Sequence, residues 1–245
     1  MGKPVISILI PFRNNGDRQE QFDWLQSRWK ALFPEAEVII ESDDNKDPFS
    51  KTIAVNRCYA RATSDVLAMV DADVWVEPAV LLEAARRIRG GHAAWVQPCN
   101  RVVRLNEEYT KELVKTDPTA DWNPTIDELK DKAERITPVV GLVAVFSREG
   151  FERIGGMDPR FRGWGWEDNA FNNAMNTIHG RVILLQNYVW HLWHPRGLDN
   201  SGKPTWVGQQ TRNADIGRRY KEARGNRRKM LSLVKEVRSI TGIGK

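Results

Sequence analysis

The chain has 245 residues, 41% of them hydrophobic and 28% charged, which is enough apolar material for one large folded domain and argues against a disordered chain. Its two cysteines, Cys58 and Cys99, give no basis for a disulfide framework or a cysteine-rich zinc cluster. The net charge of +5 is uneven: residues 212–245 carry eleven Lys/Arg against Asp215, Glu222 and Glu236, a local +8 that leaves −3 for the rest.

In chain order, the apolar run Val5 to Ile10 reads as a strand. It is too short to span a bilayer and no small-residue cleavage site follows it, so the expectation is a soluble, cytoplasmic protein. Phe22, Leu25, Trp29 and Leu32 then recur at helical spacing within Gln19 to Leu32, and a strand is expected over Glu37 to Ile40. Ile53, Val55 and Tyr59 mark a helix over Thr52 to Ala62, followed by strands at Val66 to Val70 and Ala93 to Val96, with a proline-started helix from Pro78 to Arg89 between them. This β-α-β-α-β alternation predicts an α/β fold with a mainly parallel sheet flanked by helices.

From Asn106 to Thr137 the chain turns polar, as an insertion or flap, with a helix expected over Ile126 to Arg135 behind a Thr125 cap. Val139 to Phe146 reads as a strand, Arg148 to Ile154 and Asn169 to Asn176 as short helices, and Arg181 to Trp190 as one further strand. The tail from Asp215 to Ile240 is helical in pattern, and its stripe of Met230, Leu233, Val234 and Val237 is expected to dock on the protein's own core. Its basic face is most simply a solvated one, and it can equally meet an acidic partner, a membrane surface or nucleic acid. The expected division is residues 1–100, residues 101–211 with the insertion at 106–137, and the tail 212–245.

Three constellations carry chemistry. Asp71-Ala72-Asp73 closes the strand Val66 to Val70, and residues two apart on a strand share a face. Both carboxylates therefore aim at the crevice outside the sheet's carboxyl edge, where open α/β sheets bind ligands, and their hard oxygens suit Mg²⁺ or Mn²⁺ bridging to a diphosphate. Taken alone, two such aspartates also end strands and cap helices. Arg13, in Pro11-Phe12-Arg13-Asn14-Asn15 after the first strand, belongs to the same edge and suits a diphosphate, although an arginine there is more often salt-bridged.

The second constellation is Gly163-Trp164-Gly165-Trp166-Glu167-Asp168-Asn169. Its glycines allow close backbone approach, its tryptophans offer flat faces to sugar C–H groups, and its acids are candidate bases for a hydroxyl. Core packing of both tryptophans, with the acids simply opening a helix, is the alternative. The third is His191-Leu192-Trp193-His194: two of only four histidines, just past a strand, able to converge on a metal with Asp73 in a mixed oxygen and nitrogen set that favours Mn²⁺ over Mg²⁺, with two histidines buried or paired locally as the alternative. His92 and His179 have no comparable setting.

In this order and spacing the three resemble the GT-A glycosyltransferases, most closely the β-1,4-galactosyltransferase group with its polypeptide GalNAc-transferase and chondroitin-polymerase relatives, from about Val5 to His194. Ile10 to Asn14 looks like that group's opening nucleotide-binding segment. Asn56 sits like an asparagine before its D-x-D, and Gly155-Gly156-Met157-Asp158 with Gly163 to Asp168 is similar to its acceptor-side motif. The resemblance implies a UDP-sugar donor, with Pro11, Phe12, Arg13, Glu41, Asp43, Asn56 and Asp71 on the nucleotide and Asp73, His191 and His194 on Mn²⁺. It also implies Trp164, Trp166 and Glu167 on a glycan or protein acceptor and Asp168 as base.

Three departures stand out. Trp166 replaces a frequent glycine, Asn169 replaces a third acid, and Glu41-Ser42-Asp43-Asp44 is not the usual Asp-Asp-Gly-Ser. Asp168 as base implies inversion, while retention occurs among the GalNAc-transferase relatives. A nucleotidylyltransferase would want a glycine-rich loop after the first strand, and a D-x-D phosphatase would carry its aspartates there. A non-catalytic sugar-binding or nucleic-acid-binding protein on the same fold is the non-enzymatic alternative.

Overall fold

The computed structural model describes residues 4–14, 18–139, 141–195 and 207–245. Residues 196–206, within the expected second region 101–211, lie outside the described residues. The first half runs β1 (Ile6–Pro11), α1 (Gln19–Leu32), β2 (Ala36–Glu41), α2 (Lys51–Arg61), β3 (Val66–Val70), β4 (Val74–Trp75), α3 (Pro78–Arg89), β5 (Trp95–Gln97) and β6 (Arg101–Leu105). The second runs α4 (Glu107–Leu113), α5 (Ile126–Leu129), β7 (Ala133–Pro138), β8 (Val143–Ser147), α6 (Arg148–Arg153), α7 (Glu167–Ile178), β9 (Val182–Leu184), β10 (Tyr188–His191), α8 (Val207–Ala223) and α9 (Arg227–Thr241).

The main sheet has the order β2-β1-β3-β8-β5-β9. β1 is parallel to β2 and β3, and β5 to β9, whereas β8 runs antiparallel to both of its neighbours. Side chains alternate across it: Ile6, Ile8 and Ile10 of β1 and Val66, Ala68 and Val70 of β3 enter one core with α1 and α3. Leu9, Leu67 and Met69 enter the other, under α2, α6 and α7. With both faces covered, these strands read as unbroken apolar runs.

A second sheet, β4-β10-β6-β7, stands at the carboxyl edge of the first. Its construction departs from the sequence expectation in two places. The Thr125–Glu128 capping box starts a helix of one turn only, and Ala133–Pro138 is a strand pairing antiparallel with β6. The apolar stretch 181–190 is two strands in two sheets, divided where Asn100 N donates to Asn187 O and Asn187 Nδ2 donates to Pro98 O.

The basic tail is likewise two helices. Gly225, at φ +72°, and Asn226, whose side chain accepts from Lys229 N at 3.0 Å, turn the chain between them. Met230, Leu233, Val234 and Val237 of α9 are all buried, as the stripe predicts, and α8 and α9 pack against α7. Burial of each such side chain contributes about 1.5–3 kcal/mol. Among the described residues, no helix is long and apolar enough to cross a membrane.

Candidate active site

β3 delivers Asp71 and Asp73 to the sheet edge, and the turn Asp71–Val74 is closed by Val74 N donating to Asp71 O at 3.1 Å. β4 then pairs antiparallel with β10 in the register Trp190↔Trp75 and His191↔Val74, and Leu192 N donates to Asp73 O at 2.8 Å. This short ladder brings His191 and His194 to Asp73 from more than a hundred residues away. His194 Nε2 lies 3.1 Å from Asp73 Oδ2, His191 Nε2 lies 3.6 Å from Oδ1, and one ligand atom from each of the three residues falls within 4.8 Å of the others.

Arg18, which sequence reading did not single out, places Nη1 3.2 Å from Asp73 Oδ2. Burial opposes ionisation of Asp73, but His191, His194 and Arg18 outweigh it and hold this carboxyl below the usual range. Burial lowers His191 to about 4, against the pull of Asp73, so its imidazole is neutral at pH 7 and keeps a lone pair for a cation. The buried Asp73 Oδ1 accepts no hydrogen bond from the described residues. One hard oxygen with that spare capacity, beside two imidazole nitrogens, is a donor set that fits Mn²⁺.

Asp71 faces a different neighbour. Lys51, the first residue of α2, sets Nζ 2.7 Å from Asp71 Oδ1 and 2.9 Å from Asp168 Oδ1, so one ammonium bridges two acids nearly a hundred residues apart. Burial alone would lower Lys51, yet Asp168, Asp71 and Glu167 outweigh it and hold the ammonium above its ordinary value. Asp71 is raised to about 6 by burial, with Lys51 opposing and Asp168 and Asp73 adding. Glu167, which is buried and has Oε2 without a partner among the described residues, is raised to about 7 by burial and by Asp168. Gly141 makes the approach possible: a Cβ there would lie 2.0 Å from Asp168 Oδ2.

Trp164 is 64% exposed, whereas Trp166 is half-buried and packs against α8. On the nucleotide side, Pro11 ends β1 opposite Glu41, and Phe12 stacks on Phe22 with ring centroids 3.8 Å apart. The Arg13 guanidinium turns toward the β2–α2 loop, onto Asp47 at 2.6 Å and Asp43 at 3.4 Å, and lies over the Phe49 ring. Asp43 is buried and accepts from Ser50 N at 2.9 Å, while Glu41 reaches Arg61 at 2.6 Å. Asn56 spends its amide on Met157, donating to its carbonyl at 2.8 Å and accepting from its N–H at 2.9 Å, and so ties α2 to the Gly155–Asp158 segment.

The structure thus brings Asp71, Asp73, Asp168, Glu167, His191 and His194 to one mouth of an α/β sheet, with Trp164 exposed on the loop that leads to Asp168. Arg13 is engaged by Asp43 and Asp47, Glu41 by Arg61 and Asn56 by Met157.

Residues 39–155 match the sequence model of glycosyl transferase family 2, and residues 128–194 match that of the N-terminal domain of galactosyltransferase. No curated protein matches the chain. Among solved structures, a mannosyltransferase from Pyrobaculum calidifontis in complex with GDP-Man and Mn²⁺ is similar at 14% identity and TM-score 0.50, over 100% of this chain and 76% of its own. S. aureus TarS 1-349 in complex with UDP is similar at 14% identity and TM-score 0.50, over 77% of this chain and 60% of its own. The catalytic domain of Drosophila β1,4-galactosyltransferase 7, complexed with xylobiose, is 16% identical over 74% of this chain, with TM-score 0.41. This chain spans 65% of the length of that fly chain. The likeness to the two structures at TM-score 0.50 shows that the chain shares their GT-A fold, and the glycosyl transferase family 2 match covers just under half of the chain.

Proposed function

We propose that the protein is a metal-dependent glycosyltransferase that moves a hexose or N-acetylhexosamine from a UDP-sugar to a hydroxyl of a glycan or protein. The observation that carries this reading is the convergence of Asp73, His191 and His194 within 4.8 Å, beside an Asp71–Lys51–Asp168 bridge. The complexes of the two archaeal and bacterial neighbours, one with GDP-Man and Mn²⁺ and one with UDP, support a nucleotide-sugar donor and a divalent ion on this fold.

In this reading Asp73, His191 and His194 hold Mn²⁺, or Mg²⁺ in its place, and the ion supplies charge neutralisation for the departing diphosphate. Asp71 contacts the nucleotide, with Pro11, Phe12, Arg13, Glu41, Asp43 and Asn56 lining or shaping that side. Trp164 stacks an acceptor sugar, Trp166 backs it and Glu167 accepts a hydrogen bond from it. Asp168 takes the hydroxyl proton on a carboxylate oxygen. The acceptor oxygen then bonds the anomeric carbon as the bond to the diphosphate oxygen breaks, UDP leaves, and configuration inverts. Lys51 holds Asp168 in place until the acceptor arrives.

The test is a screen of UDP-sugars for Mn²⁺-dependent hydrolysis, with the anomer of a transfer product read by NMR. Turnover lost in Asp73→Ala together with UDP binding, and lost in Asp168→Asn with UDP binding kept, supports the reading. UDP binding without turnover of any UDP-sugar makes it a binding protein instead, and a product of retained configuration removes Asp168 as the inverting base.

A further inference from the structure

One face of α8 meets the acceptor segment at three points. Asn213 is buried: its Nδ2 donates to Arg162 O at 2.8 Å and to Gly165 O at 3.1 Å, and its Oδ1 accepts from Arg162 N at 3.3 Å. One turn on, Gly217 lies under Trp166, where an added Cβ would meet the indole at 2.4 and 2.6 Å. Less than a turn beyond, the Tyr220 hydroxyl donates to Asp158 Oδ2 at 3.0 Å. Asp158 in turn accepts from Arg160, whose guanidinium reaches Glu236 of α9 at 2.8 Å.

What these contacts hold is an unfavourable conformation. Trp166 has φ +74° and is the N-cap of α7, the residue immediately before Glu167 and Asp168. A bulky residue in the left-handed region persists only where its surroundings over-determine it. Here Asn213 fixes the backbone on the near side through Gly165 O and Arg162, and the bare Cα of Gly217 receives the ring.

We propose that Asn213 and Gly217 are positioning residues for the reaction: through Trp166 they set the loop 162–166 that presents Trp164 and the start of the helix carrying Asp168. The C-terminal hairpin is in this sense a wall of the acceptor side. The inference rests on the functional reading above only in treating that side as the acceptor's.

The test compares Asn213→Ala and Gly217→Ala with Lys221→Ala, an exposed control on the same helix, by amide hydrogen exchange of the full chain. Alanine is a better helix former than glycine, so a loss of order in Gly217→Ala runs against helix propensity and reports the Trp166 contact. Exchange over residues 162–168 should quicken by about tenfold in both variants. Peptides from β1 and β3 and the melting temperature should stay near wild type, and UDP affinity with Mn²⁺ within about twofold.

Trp166→Gly in the Gly217→Ala background removes the ring and tolerates positive φ, so it should restore slow exchange in that variant. Unchanged exchange at 162–168, exchange raised across the whole chain, or no restoration by Trp166→Gly would overturn the proposal. Failure of the wild type to bind UDP with Mn²⁺ would instead strike the functional reading, and the exchange comparison would still decide this one.

Discussion

Two carboxylates separated by a single alanine live in opposite electrostatic settings. Asp73 is surrounded by two imidazoles and a guanidinium, with one buried oxygen accepting no hydrogen bond from the described residues. Asp71 shares one ammonium with Asp168, close to a second buried acid, Glu167. On the Asp73 side Arg18 takes Oδ2, and the donors that could share a metal cation are the carboxylate and the two imidazole nitrogens. The Asp71 side already contains a cation, covalently attached through Lys51. Buried like charges are tolerated only when compensated, so the difference separates a place for an exchangeable ion from a place where the protein supplies its own.

The comparison is broken most severely at Asp73. Asp73→Ala should reduce Mn²⁺-dependent UDP-sugar turnover by about 10⁴-fold, since it removes the oxygen ligand and with it several kcal/mol of charge stabilisation. The assay is steady-state UDP release at saturating Mn²⁺. A rate within tenfold of wild type would mean the ion is held elsewhere. On the other side, Asp168→Asn should cost about 10³-fold in transfer, the middle of the range for a positioned general base. Its UDP affinity by calorimetry should be unchanged, and a parallel loss of affinity would argue for a structural role.

Lys51→Met is the sharpest probe of the built-in cation. It leaves Asp71 and Asp168 together without a counter-charge and should destabilise by about 2–3 kcal/mol, less than a fully buried pair because the site is partly open to solvent. Asp71 already stands at about 6 against an ordinary 3.8, and loss of the ammonium raises it further. A carboxyl with a raised folded value loses stability as pH rises through that value. Denaturant melts should therefore show a larger deficit for Lys51→Met at pH 8 than at pH 5, and equal deficits would show that the ammonium is not compensating these acids.

The smallest effect is expected at Glu167, whose carboxyl stands at about 7 against 4.5. Wild type should lose stability between roughly pH 4.5 and 7, because the native state binds the proton more tightly than the unfolded chain does. Glu167→Gln removes that dependence and should be the more stable protein at pH 8, by about 2 kcal/mol. A steeper pH profile in the glutamine variant would contradict the assignment.

Much of this was legible in the chain because it rests on local pattern. The apolar runs at 6–10 and 66–70 follow from side-chain period, and Asp71, Asp73, Asp168, His191 and His194 stood out by their places at strand ends and in one short Gly-Trp-acid motif, with their roles implied by the family resemblance. Lys51 left no such trace. A lysine opening a helix looks like any solvated charge, and only the packing of α2 beneath β3 and α7 carries it to two aspartates. Arg18, Asn213 and Gly217 were silent for the same reason. The helix expected over 126–135 came from a true capping box, which marks a start and not a length. The single strand expected over 181–190 came from continuous apolarity, which cannot tell one sheet from two.

The central claim is that Asp73, His191 and His194 share one divalent ion. Electron spin-echo spectroscopy of Mn²⁺ bound with UDP, on protein carrying ¹⁵N-histidine, addresses it directly, since the sequence holds only four histidines. Nitrogen couplings from two imidazoles, reduced to one in His191→Ala and in His194→Ala, are the predicted result. A bound Mn²⁺ with no histidine nitrogen coupling would contradict it.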